Sequence, residues 1–375
     1  MLELNRNGVT PQDNAAAILC LVLQERHAAY AAEIQAVRTE LGVVAGAAAY
    51  PPLESAYDDK FEKGIFEWIR EQNAAFYKEY HREFIDTYAV EKLIDYGMSR
   101  PWTARDCPVL ADFVRINEPQ LDMIVAASTR PRYYWPAPSL LNNTNEALVS
   151  DYTFSVWRIH NVTNLALRAM LRVGEGRFDE AWDDLLSLYR LARLIGQGNS
   201  LHERWMAFYI EDAAHTATIA LLHHGESTTA QLQKVLHDLE SLPPYNGLAR
   251  CVDTFERVQT LDFILHMADG DMDEHCDELH LAEGFTYADF VYVDWNSVLA
   301  KTNAWYDRLA AALEISDFAA RTQAVDAVYA ELRHPSDYDG LQLLAGVIVS
   351  RRYRTDVGAN ANHPDLCAEC AESID

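Results

Sequence analysis

The stretch VGEGRFDEAWDDLLSLYRLARLIGQG at 173–198 decides the fold. Within it Phe178, Ala181, Trp182, Leu185, Leu188, Tyr189, Ala192 and Ile195 recur at three- and four-residue steps. That spacing gathers them on one face of a helix. Asp179 and Glu180 fall in the first turn and Arg190 and Arg193 near the last, the charge order that the helix dipole favours. Gly196 is expected to end the helix in the left-handed conformation.

A second apolar stripe lies upstream, at Phe154, Trp157, Val162, Leu165, Ala166, Ala169, Met170 and Val173, and Gly174 and Gly176 separate the two. A connection this short makes the helices antiparallel neighbours. Downstream, Trp205, Met206, Tyr209, Ile210, Ala213, Ala217, Ala220 and Leu221 predict a third helix and its buried face. Each stripe alone would stay wet, so the helices must pack together.

The rest of the chain reads as more of the same. Thr10-Pro11 predicts a helix start, running to about Leu41, and GVVAGAAAYPP at 42–52 reads as a linker. Residues 53–96 read as one long or two consecutive helices. Pro108 and Pro119 are each expected to open a short helix, and TRPRYYWPAPSLLNNTN at 129–145 reads as a long loop. Thr228 and Gln231 predict a capping box, followed by Leu232, Val235, Leu236, Leu239 and Leu242 and a stop at Pro243-Pro244. Further helices are expected at 248–267, at 298–313, after a Ser316 cap through Arg333, and at 341–349, with an acidic loop at 269–280. FVYVDW at 290–295 is a candidate extended piece without a recognisable partner strand. The fold class is therefore all-α: stacked antiparallel helices with little or no β structure. The expected organisation is an N-terminal helix and linker at 1–52, a helical domain at 53–353 built around 153–242, and a polar tail at 354–375.

Composition narrows the function classes. With 57 acids against 31 bases the formal charge is −26. Phosphate backbones and anionic membranes repel such a surface, so nucleic-acid binding as the main role is not expected. No stretch reaches the ~20 apolar residues that span a bilayer. The N-terminus lacks a signal-peptide pattern, so the chain as given reads as soluble, cytoplasmic by default, or exported or anchored if a longer precursor exists. Six cysteines in 375 residues do not make a disulfide scaffold. Cys20 and Cys251 read as core residues.

Two resemblances add to this. Ala169, Gly176, Phe178 and Ala181, within 162–195, resemble the core of one tetratricopeptide hairpin, although Arg172 and Leu185 depart from its pattern and no second copy follows. NGVTPQDNAA at 7–16, RPRYYWP at 130–136, RAMLRVGEGRFDEAWDDLL at 168–186 and DWNSVLAKTNAWYDRL at 294–309 resemble an uncharacterised family of bacterial helical proteins. That likeness implies an all-helical fold and no particular chemistry; some similar proteins carry an N-terminal membrane anchor, which this chain lacks.

Several places could carry function. Arg130, Arg132, Tyr133, Tyr134 and Trp135 combine aromatics with arginine, a composition suited to partner or ligand contact. The same rings would serve equally as a wedge between helices. Glu211 and His215, four apart on a helix, form a candidate acid/base pair or an ordinary hydrogen bond. Arg158, Asn161, Asn164 and Arg168 interrupt an apolar helix and are expected to meet Asp183 or Asp184 across the hairpin, since buried polar groups need partners. Asp269, Asp271 and Asp273 alternate like a calcium loop, but Glu274 and His280 break the pattern. His275, Cys276 and His280 could hold a transition metal instead; His363, Cys367 and Cys370 supply three of the four ligands of a structural zinc. No metal and no cofactor is expected, and no P-loop, GxGxxG, GxSxG or HExxH occurs. The sequence names no catalytic residue and no oligomeric state. Stacked helices offer a groove for a protein or peptide, so a non-catalytic partner-binding or scaffold protein is the leading expectation. The alternative is a hydrolase-like enzyme with carboxylates and histidines in a helical cavity.

Overall fold

The computed structural model describes residues 8–22, 31–43, 85–136, 160–224, 226–269 and 293–333. Among these the structure is all-α, with no strand; one isolated bridge joins Asn14 to Arg132. The expectations for 44–84, 270–292 and the chain after 333 lie outside the described residues, as do Phe154, Trp157 and Arg158.

The helices are α1 (Ala15–Val22), α2 (Ala31–Glu40), α3 (Ile85–Ser99), α4 (Pro108–Ser128), α5 (Asn164–Gly174), α6 (Phe178–Ile195), α7 (Leu201–His224), α8 (Thr229–Glu240), α9 (Leu248–Cys251), α10 (Arg257–Asp269), α11 (Trp295–Leu313) and α12 (Phe318–Arg333). A 3-10 turn at His160–Thr163 precedes α5, and a π turn at Val252–Glu256 joins α9 to α10. The chain divides into two compact units. One comprises Met1–Thr144, Asp151–Gly198 and His202–Tyr245; the other comprises Asn145–Ser150, Asn199–Leu201 and Asn246–Asp375.

In the first unit the α5–α6 hairpin forms the centre, as the quoted stretch predicts. Leu165, Ala166, Ala169 and Met170 of α5 and Ala181, Trp182, Leu185, Leu188, Tyr189, Ala192 and Ile195 of α6 are all buried. Gly176 turns the chain with φ +75°, a conformation few residues with a side chain adopt. Gly174 serves differently: a Cβ there would stand 2.0 Å from the Trp102 carbonyl oxygen, so this helix end accepts only a hydrogen. The Trp102 segment lies across α5, its amide bonded to the Met170 carbonyl (3.4 Å) and its indole Nε1 to the Gly97 carbonyl (2.9 Å).

A buried ionic lattice fastens α4, α5 and α6 together. Arg168 meets Asp184 through two bonds, Nε to Oδ2 at 3.1 Å and Nη2 to Oδ1 at 2.7 Å, and reaches Asp122 on α4 at 2.7 Å. Arg172 closes on the same Asp184 at 2.6 Å. Burial pushes the Asp184 carboxyl up, against the pull of the two guanidiniums.

Three local expectations need correction. Thr10-Pro11 makes a turn rather than the helix start: Thr10 Oγ1 bonds Asp13 at 2.8 Å, and α1 begins at Ala15 with the Ala16 amide bonded to Asn14 Oδ1 at 3.1 Å. Pro119 does not open a second helix; α4 runs unbroken for 21 residues with Pro119 inside it. Pro119 sits on the exposed side, where the carbonyl that loses its amide partner can bond water. Burial of Leu110, Phe113, Val114, Leu121 and Ile124 on the opposite side keeps the helix going. Gly196 is not left-handed; its φ is −67°.

The third helix is also rotated from its expected setting. The core side of α7 carries Arg204, Met206, Ala207, Ile210, Glu211, Ala214, Ala217, Thr218 and Leu221, while Trp205 and Tyr209 are 40% and 43% exposed. α8 has the expected capping box: the Gln231 amide donates to Thr228 Oγ1 (3.3 Å) and the Thr228 amide to Gln231 Oε1 (2.9 Å). It docks on α6 through Trp182 Nε1, which donates to Asp238 at 2.8 Å.

The second unit packs α10 against α11 and α11 against α12. Val252, Trp305, Tyr306, Leu309 and Val328 form its core, and Tyr306 shares a 2.6 Å hydroxyl bond with Thr260. The expected 248–267 helix is interrupted by the π turn. Asp294 caps α11 through the Ser297 amide (3.3 Å), and Asp317, not Ser316, caps α12 through the Ala320 amide (2.8 Å).

Candidate functional site

The aromatic loop comes first, because sequence singled it out. Its backbone is stitched to the N-terminal turn: the Ala15 amide donates to the Arg132 carbonyl (2.9 Å), and the Arg132 amide to the Asp13 carbonyl (3.1 Å). Asn14 completes the seam. Its Nδ2 donates to the Tyr134 carbonyl and its Oδ1 accepts the Tyr134 amide, each at 2.9 Å. Tyr133 and Tyr134 are buried and Trp135 half-buried against the core, while Arg132 is exposed and Arg130 lies partly open with a bond to the Gln12 carbonyl. Burial, with the Glu203 carboxylate adding to it, holds the Tyr133 phenol well above its usual range. The loop therefore offers its arginines, not its tyrosine rings, to solvent.

Glu211 and His215 occupy adjacent turns of α7 but take different partners. Glu211 Oε1 accepts Arg193 Nη2 at 2.7 Å, and Oε2 accepts the Tyr245 hydroxyl. His215 is exposed and packs its ring 5.2 Å from that of Tyr189. The Tyr189 hydroxyl meets Thr218 at 3.2 Å, and burial pushes its phenol up to about 12.

Around Tyr245 the structure assembles a cradle that sequence reasoning missed. Arg193 stands 4.0 Å and Arg204 4.6 Å from the Tyr245 ring centroid, and Phe208 meets it edge-on at 5.5 Å. Gly196 lies beneath: a Cβ there would fall 2.4 Å from the ring. Burial first, then the Glu211 carboxylate, pushes the Tyr245 phenol far up, so it stays a hydrogen-bond donor. Arg204 and Glu211 are 3% and 8% exposed. A charged residue on the expected apolar side of α7 was the available signal. Nothing local in Pro243-Pro244-Tyr245 pointed back to α6.

The outward side of α7 is the other feature. Trp205 and Tyr209 are joined there by Ile219 and Leu222, 68% and 42% exposed. Trp205 lies 5.9 Å from the His202 ring and 6.3 Å from that of Tyr209. His202 itself is pushed down to about 4 by burial.

Among the described residues no group of three His, Cys, Asp or Glu side chains is placed to hold a metal, and no helix is long and apolar enough to cross a membrane. His275, Cys276, His280, His363, Cys367 and Cys370 lie outside the described residues. No protein-family model, curated protein or solved structure matches this chain.

Proposed function

We propose that the chain is a partner-binding or scaffold protein without catalysis, and that the outward side of α7 is where a protein or peptide docks. The observation that carries this reading is the exposure of Trp205, Tyr209, Ile219 and Leu222 on a single 24-residue helix. Large apolar and aromatic side chains grouped on a surface are what interfaces bury. The helix beneath them is rigidly held by Arg193–Glu211 and Tyr189–Thr218, so the side chains are presented at little entropic cost. The partners of Glu211 also weigh toward binding. Its carboxylate is committed to Arg193 and Tyr245, and His215 faces solvent, so the two form no proton relay.

A photo-crosslinking side chain placed at Tyr209, with exposed Arg115 as the control position, tests the reading in cells of the source organism. The expected result is a product specific to position 209. Once purified, its binding should weaken at least tenfold when Trp205, Tyr209 and Ile219 are changed to alanine. Identical products from both positions, or unchanged affinity, would remove the α7 face as the binding site.

A further inference from the structure

We propose that the cradle formed by Arg193, Arg204, Phe208, Glu211 and Gly196 is a receptor for a hydroxylated aromatic ring, and that Tyr245 is its built-in occupant, a releasable plug. The claim goes beyond the α7 face and does not depend on it.

The walls and the plug come from different kinds of structure. Every wall residue belongs to the end of α6 or to α7, whose inward sides are buried in the main core. Arg193 and Glu211 bond each other directly at 2.7 Å, a contact that does not need the tyrosine. The receptor is thus assembled before the ring arrives. The plug sits on the 241–247 strap, which has no helix or strand beyond the turn ending α8. Pro243 and Pro244 are exposed and have no amide to donate, and Gly247 is exposed as well.

The chemistry of the walls specifies the ligand. Guanidiniums near a ring face favour an electron-rich aromatic. Glu211 accepts the hydroxyl, so a ring without one leaves a nearly buried carboxylate short of a donor. Gly196 clears room for a ring edge where any side chain would collide. An anchor needed only for stability would be met by an apolar ring in an apolar hole, without placing Arg204 and Glu211 where desolvation is costly. A polar, preformed seat filled from a strap is the arrangement of an intramolecular ligand.

The full-length Tyr245→Ala protein tests this, with 4-methylphenol and toluene as probes in calorimetric titration. The expected result is saturable binding of 4-methylphenol to the variant, at least tenfold tighter than toluene, and none to the wild type, whose seat is taken. Equal binding of the two probes, no binding to the variant, or equal binding to the wild type would each overturn the proposal. Should Tyr245→Ala not fold, Gly196→Ala decides instead, since its methyl displaces the ring while the other walls stay. Proteolysis within 241–247 should then be at least tenfold faster than in the wild type at unchanged helical circular dichroism. An unchanged cleavage rate would overturn the proposal.

Discussion

The side chain of Asn14 pairs with the backbone of Tyr134 as a neighbouring strand would, giving one bond to its carbonyl and taking one from its amide, both 2.9 Å long. It accepts the Ala16 amide as well, so one buried carboxamide seals three backbone groups. Asn14→Ala orphans all of them and should lower stability by about 2–4 kcal/mol. Asn14→Asp should be at least as harmful, because a carboxylate oxygen would face the Tyr134 carbonyl. Urea unfolding measures the loss, and amide exchange at Tyr134 should accelerate; unchanged exchange in both variants would sink the account of this seam.

Arg168 and Asp184 are both almost inaccessible, with side chains 3% and 2% exposed. Removing one charge strands the other, a loss of about 3–5 kcal/mol. Asp184→Ala should therefore cost that much in chemical denaturation. Asp122→Ala should cost under about 1 kcal/mol, because the Asp122 side chain is 67% exposed and water screens it. Equal losses from the two would show that burial is not what sets the energy here.

Gly174 and Gly176 separate two uses of glycine. At Gly176 an added Cβ meets nothing within 4 Å, but φ is +75°; alanine should cost about 1 kcal/mol through backbone strain alone. At Gly174 the φ is ordinary, yet the Cβ would strike the Trp102 backbone, and overpacking of this kind costs about 1–3 kcal/mol. Thermal unfolding should rank Gly174→Ala below Gly176→Ala, and Asn at 176 should be tolerated better than Ala. The reverse order would mean that the Trp102 segment moves aside easily.

The pH dependence of stability should carry the mark of His202. Its pKa in the folded chain, about 4, lies below its ordinary 6.5, so the unfolded chain takes up the proton first. Its contribution is therefore constant above about pH 6.5 and turns unfavourable as the pH falls toward 4. Allowing for its partial exposure, the loss across that window is about 2 kcal/mol. Carboxylates titrate in the same range, so the measurement is the difference in unfolding free energy between wild type and His202→Gln at pH 7.5 and 4.5. Parallel curves for the two proteins would refute the assignment.

Trp182 and Trp205 measure which side of each helix matters. Trp182→Ala empties a buried site and should cost about 3–5 kcal/mol. Trp205→Ala should cost under about 1 kcal/mol, because the ring is 40% exposed.

The same pair shows how far the sequence could be read. The hairpin was legible because α5 and α6 carry one dominant stripe each, and period alone fixes which side goes inward. α7 was not, because apolar residues occur on more than one side: Met206 and Ile210 face the core while Trp205 and Tyr209 do not. Size and ring character there suggest burial, but the small residues Ala207, Ala214 and Ala217 permit the close approach that sets the inward side. Pro119 and Gly196 misled for a related reason. Each is a local punctuation mark whose meaning was settled by something distant, solvent on one side of α4 and a ring from Tyr245. Of the candidate site, Glu211 was visible as a charge near an apolar stripe. Its partners were not, since Arg193 and Tyr245 lie 18 and 34 residues away with no periodic relation to it.

The π turn at Val252–Glu256 has a consequence for length changes in this chain. An α-helix closes its bonds at every fourth residue and a π turn at every fifth, so this widened turn holds one residue more than an ordinary coil needs. Deleting a residue elsewhere in α10 would rotate everything beyond it by about 100°, swinging Gln259 and Thr260 out of the interior. Deleting one inside the widened turn would relax it to a regular coil with both flanks still aimed as before. Among positions 248–269, that turn is where evolution or an engineer can shorten the rod without twisting it.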